Sequence, residues 1–123
     1  VSDLHGVRVD TDGTRTAITV PAATMNESLR KEVGGDIEFA HYGTAQSAVT
    51  AVVHESGMPD GLPVNGDAET FVCHMRGGQL GYHLYGPVVF FGFDPARVAT
   101  IDLTGDQRAI LNRLPVYGKG GAR

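Results

Sequence analysis

Tryptophan is absent from this chain, and cysteine occurs once, at Cys73. A single thiol cannot form a disulfide within the chain, so folding cannot depend on an oxidising compartment. No run of about 18 apolar residues is present, which argues against a transmembrane helix. A basic cluster is also missing. The 10 Lys and Arg residues are scattered singly among 14 Asp and Glu, for a formal net charge of −4. Nucleic-acid binding driven by counterion release needs clustered cations, so that class is disfavoured. The acidic excess is too small for a surface that mimics DNA. The opening residues Val1–Gly6 lack the basic and apolar regions of a secretory signal, so cytoplasmic residence is the expectation.

What remains is an ordinary globular composition. The chain has 123 residues, 41% apolar and 20% charged, enough for one domain with a core of its own. Val7 and Val9, then Thr16, Ile18 and Val20, alternate as half-buried strands do, and Thr11-Asp12-Gly13-Thr14 between them reads as a turn. Thr24-Met25-Asn26-Glu27 has the spacing of a capping box, opening a helix that carries Leu29 and Val33 on one face and stops at Gly34-Gly35. A strand is expected over 36–42 and another over 48–55. Ala68, Phe71, Val72 and Met75 recur at helical spacing, with Asn65 or Asp67 as cap and Gly77-Gly78 as stop. Pro87-Val88-Val89-Phe90-Phe91 lies within the most apolar strand, expected over 85–93. A short strand over 97–102 and a helix opened by Thr104-Gly105-Asp106-Gln107 complete the pattern, with Ile110, Leu111 and Leu114 on its buried side. The order β-β-α-β-β-α-β-β-α, with connections too short for parallel crossovers, predicts an α+β fold. We expect a mainly antiparallel sheet with about three helices packed on it, and Phe71, Val72, Val88, Phe90 and Ile110 in the core. One domain should cover residues 1–116, followed by a flexible glycine-rich tail over 117–123.

Three blocks resemble a small domain family of unknown function carried by phages, plasmids and other bacterial mobile elements. They are the Leu29-to-Glu38 stretch with its Val33-Gly34-Gly35 centre; the strand-end Glu55, then Gly61-Leu62-Pro63-Val64-Asn65 and Ala68; and Gly86-Pro87-Val88-Val89-Phe90-Phe91-Gly92. The resemblance spans roughly residues 24 to 93, and the segment 97–114 falls outside it as an addition particular to this chain. It implies a mobile-element origin, hence a bacterial host cell, and it brings no catalytic residues.

The residues themselves suggest little chemistry. Gly34-Gly35 follows a helix and lacks P-loop spacing, so it reads as a helix stop. His5, His41, His54, His74 and His83 form no H-x-x-x-H pair. A metal would need a site assembled from separate strands, such as His41 with His54. Adjacent positions on a helix diverge by about 100°, which places His74 badly as a base for Cys73. We therefore expect no catalytic set, no metal and no cofactor.

The most distinctive surface is the loop Leu62-Pro63-Val64-Asn65 at a helix start, together with Tyr82 and Tyr85. A rigid proline, an amide and free helical N–H groups could hold a small anion or a partner's backbone. On capping alone, Asn65→Ala should cost about 1 kcal/mol and Asn65→Asp should keep the cap. Two functional classes follow. One is a non-enzymatic accessory protein that binds a host or phage protein. The alternative is a binding or sequestering protein for a small nucleotide-like molecule. Neither requires nucleic acid or a membrane, and a homo-oligomer is compatible with both.

Overall fold

In a computed structural model, residues 3–116 are described; the tail expected to be flexible, 117–123, lies outside the described residues. The chain runs β1 (Asp3–Val9), β2 (Arg15–Pro21), α1 (Met25–Val33), β3 (Ile37–Gly43), β4 (Ala48–His54), α2 (Gly66–Arg76), β5 (Val88–Asp94), β6 (Ala99–Ile101) and α3 (Gly105–Arg113). This is the expected order. The six strands form one sheet, β2-β1-β5-β4-β3, and every pairing among them is antiparallel. The short β6 pairs with the far half of β5 and extends the line of β1, to which Leu103 N–H is tied through the carbonyl of His5. The fold is α+β.

Both faces of the sheet are covered, and this explains the unbroken apolar runs. Successive strand residues point to opposite faces, so a strand buried on both sides must be apolar throughout. Val88 and Phe90 pack with Phe71, Val72 and Met75 of α2 and Leu111 of α3. Their neighbours Val89 and Phe91 pack on the other face with Leu29 and Val33 of α1. Phe71 meets Phe90 edge to face at 4.8 Å. Of the expected core, Phe71, Val72, Val88 and Phe90 are wholly buried, while Ile110 is half-buried at the margin.

The helix boundaries follow their capping chemistry with one exception. Thr104 and Gln107 form the full reciprocal capping box. Gln107 also donates from Nε2 to the Ala48 carbonyl at 2.9 Å, docking α3 on the start of β4. Thr24 makes no side-chain cap, contrary to expectation. A 3-10 turn over Ala22–Thr24 runs directly into α1, so Thr24 (φ −122°, ψ 30°) does not take the extended conformation that aims a hydroxyl at the first turn. The Gly34-Gly35 pair has two separate causes. Gly34 (φ 90°) is the left-handed stop of α1. Gly35 is small because His54 lies against it: a Cβ there would stand 2.3 Å from His54 Nε2.

Candidate functional site

The sequence-predicted residues fall into a frame and a surface. Residues 62–65 run beside 84–86 as a short antiparallel bridge. Val64 pairs with Tyr85, Asn65 N–H donates to the Leu84 carbonyl at 2.7 Å, and Gly86 N–H donates to the Pro63 carbonyl at 2.8 Å. Leu62 lies over Gly86, where an added Cβ would come within 2.7 Å of it. The loop and the tyrosine segment are thus neighbours, and the loop acts as a back support.

Asn65 belongs wholly to that frame. It is 0% exposed. Its Oδ1 accepts from Ala68 N–H at 3.0 Å, and its Nδ2 donates to the carbonyls of Val9 at 2.8 Å and Gly86 at 2.9 Å. One amide therefore joins α2, β1 and the segment leading into β5. It has no group left to offer an anion, which corrects the expectation of an amide presented at the surface. The first turn of α2 also holds an anion of its own, because Asp67 is fully buried there beside Arg15.

Tyr82 and Tyr85 line a groove of about 600 Å³ over the edge of the sheet. Its floor is the face that β3 and β4 turn toward α2. Alternation places Glu38, Ala40 and Tyr42 of β3 on that face. The register sets Glu38 opposite Val53 and Tyr42 opposite Val49. Glu55, just beyond β4, is in step with Val53 and also borders the groove. One wall is Tyr82–Tyr85, and the end is closed by Gly57 and Met58. The wall is fastened from behind: Glu69 of α2 accepts from Leu84 N–H at 3.0 Å and contacts His83 Nδ1 at 3.1 Å. Gly57 must lack a side chain, since a Cβ would approach Tyr85 Cβ to 2.9 Å.

The Tyr42 and Tyr82 hydroxyls meet at 2.5 Å across the groove. Burial, reinforced by this bond, pushes the Tyr42 phenol well above the usual tyrosine range. Its folded-state pKa is raised, so the associated stability is complete below the unfolded value of about 10 and is lost as pH rises beyond it. In an ultraviolet titration, Tyr42 should ionise after an ordinary tyrosine. Tyr42→Phe should remove that late component, and an unchanged titration curve would contradict the geometry.

Glu38 and Glu55 are exposed and form no ion pair among the described residues, and Met58 and Tyr82 are 66% and 55% exposed. The groove thus has an apolar, aromatic body with carboxylates along one side. Sequence reasoning missed Glu38, Tyr42, Val53, Glu55 and Met58. The alternation Glu38-Ala40-Tyr42 was legible as one face of a strand, but nothing local marks β3 as the strand at the sheet's edge.

The other chemical candidates do not assemble. His54 lies opposite Ile37 and His41 opposite Thr50. The two histidines are therefore four residues apart along the ladder, roughly 13 Å at the usual strand rise, too far to share one ion. His41 instead stacks on Phe93 at 3.9 Å. Among the described residues no group of three or more His, Cys, Asp or Glu side chains could hold a metal. Cys73 is half-buried on α2. No described helix is long and apolar enough to cross a membrane.

An antiparallel sheet between one helix and two, with a groove over its edge strand, defines a small α+β domain. The family described as DUF3846, a domain of unknown function, matches residues 4–114, and the chain belongs to it. The match includes β6 and α3, so the segment 97–114 is part of the family domain and not an addition particular to this chain. No curated protein and no solved structure matches the chain.

Proposed function

We propose that this chain is a small non-enzymatic accessory protein of a phage or other mobile element, which acts by binding a host or phage protein through the groove over β3. The observation that carries this reading is the groove itself: an open cleft with exposed Tyr82 and Met58 at its rim and the apolar Ala40 and Val53 on its floor. Exposed aromatic and methionine side chains grouped in one cleft are a common feature of protein-binding surfaces. The alternative, a small nucleotide-like ligand, fits the volume but not the charge. Glu38 and Glu55 would repel a phosphate, and the start of α2 is already occupied by Asn65 and Asp67.

Site-directed photo-cross-linking tests the reading. A photoreactive phenylalanine at Tyr82 should capture a discrete partner in a bacterial host extract. The same probe at Ala17, exposed on β2 at the opposite edge of the sheet, should not. Equal capture from both positions, or from neither, would refute the groove as the binding surface.

A further inference from the structure

We infer that the groove's occupant is an extended segment of a partner protein, which adds to the outer edge of β3 as a further strand and turns a lysine or arginine side chain toward Glu38 and Glu55. This rests on the protein-binding reading above and specifies how the partner is held.

The main chain supplies the first argument. Glu55 N–H donates to the Asp36 carbonyl at 2.9 Å, just before β3, and Thr44 and Ser47 exchange both bonds at 3.1 and 3.2 Å, just after it. Hydrogen-bonded pairs alternate along an antiparallel ladder. Both ends set the same phase, so Glu38, Ala40 and Tyr42 bond inward to β4. Ile37, Phe39 and His41 must then turn their N–H and C=O groups outward. Among the described residues no strand pairs with that side. Apart from the charge of Glu38, the edge also lacks the usual protections. Ile37–Gly43 contains no Lys and no Pro, and its register to β4 runs without a bulge. An edge of this kind offers ladder bonds to an incoming strand.

Charge supplies the second argument and selects the occupant. On an added strand, the residues opposite Glu38 and Ala40 would project onto the groove face. There they meet Glu38 and the exposed ring of Tyr82, and Glu55 faces them from the far side of β3 across the groove. Two carboxylates with no ion partner among the described residues, beside a tyrosine face, suit a cationic side chain with an apolar stem. A second copy of this chain suits the edge less well. Its own β3 carries Glu38 and neither Lys nor Arg, so self-pairing would add carboxylates to carboxylates.

The test is selection of short random peptides displayed on a library against the purified chain, followed by binding of the synthesised winners. Retained peptides should alternate apolar residues with at least one Lys or Arg. Glu38→Lys with Glu55→Lys, both at exposed positions, should weaken them about tenfold or more without altering the circular dichroism spectrum. Methylating alternate backbone amides of the peptide should do the same, because it removes ladder donors. Peptides that lose binding on Tyr82→Ala, yet lack basic residues or tolerate amide methylation, would overturn this inference and leave the groove reading standing. Failure to find any peptide sensitive to Tyr82→Ala, Glu38→Lys or Glu55→Lys would overturn both. A chain that elutes as a dimer, dissociated by His41→Pro, which removes an outward N–H at an exposed position, would assign the edge to a second copy and overturn the inference.

Discussion

Asn65→Asp is expected to destabilise the domain by about 3 kcal/mol or more, although aspartate caps a helix as well as asparagine. The cap is the lesser part of what Asn65 does. Its Nδ2 donates to two main-chain carbonyls, of Val9 and Gly86, inside a site closed to water. A carboxylate there has no hydrogen to offer, so two buried acceptors lose their donor and face a negative charge. The introduced carboxyl could relieve this by taking up a proton, which raises its folded-state pKa above the unfolded value of about 3.9. Its defect should therefore be greatest at neutral pH and shrink as pH falls toward 4. Asn65→Ala should cost about 2–4 kcal/mol, well above the roughly 1 kcal/mol of a lost cap alone, because the same carbonyls lose their partner without gaining a charge. Urea unfolding at neutral and mildly acidic pH measures both. An Asn65→Asp midpoint equal to the parent's would show that these bonds contribute nothing.

Removing either member of the Arg15–Asp67 pair is expected to cost about 3–5 kcal/mol. Arg15 leaves β2 and reaches the end of α3, where its Nη1 donates to the carbonyls of Leu111 and Leu114. Its Nη2 donates to the Pro115 carbonyl at 3.1 Å and to Asp67 Oδ1 at 3.4 Å. One guanidinium thus closes the C-terminus of α3 and meets a wholly buried carboxylate in the first turn of α2. Lysine cannot reproduce this, since a single ammonium lacks the planar fork that spans four acceptors. Arg15→Lys should fall nearer to Arg15→Met than to the parent. The double variant Arg15→Met/Asp67→Leu should lose less than the sum of the single losses, because the second change removes the charge that the first leaves behind. Chemical denaturation of all four proteins measures this. Strict additivity would mean that the pair does not act as a unit.

Most of the local architecture was legible because its causes are local. The αL stop at Gly34, the capping box at Thr104 and the helical spacing of Ala68, Phe71, Val72 and Met75 each depend on residues within a few positions of one another. The unbroken apolar run Val88–Phe91 marked the most apolar strand, and the structure shows why: both of its faces are covered. Thr24 shows the limit of such reasoning: its spacing was right, but the backbone entering α1 from the 3-10 turn was not.

By itself, then, the sequence determined the class of fold, the order of its elements and the grouping of residues 61–65 with a helix start. Tertiary structure alone decided the rest. Whether Asn65 points to water or to Val9 and Gly86 depends on carbonyls 56 and 21 residues away along the chain. Whether β3 is a central or an edge strand depends on which partners the other strands take. That choice, invisible in the alternation of Glu38, Ala40 and Tyr42, converts an ordinary strand face into the floor of the groove. Periodicity reports which residues share a face; only the long-range pairing of strands decides what that face meets, because a strand's neighbours are set by the packing of the whole sheet.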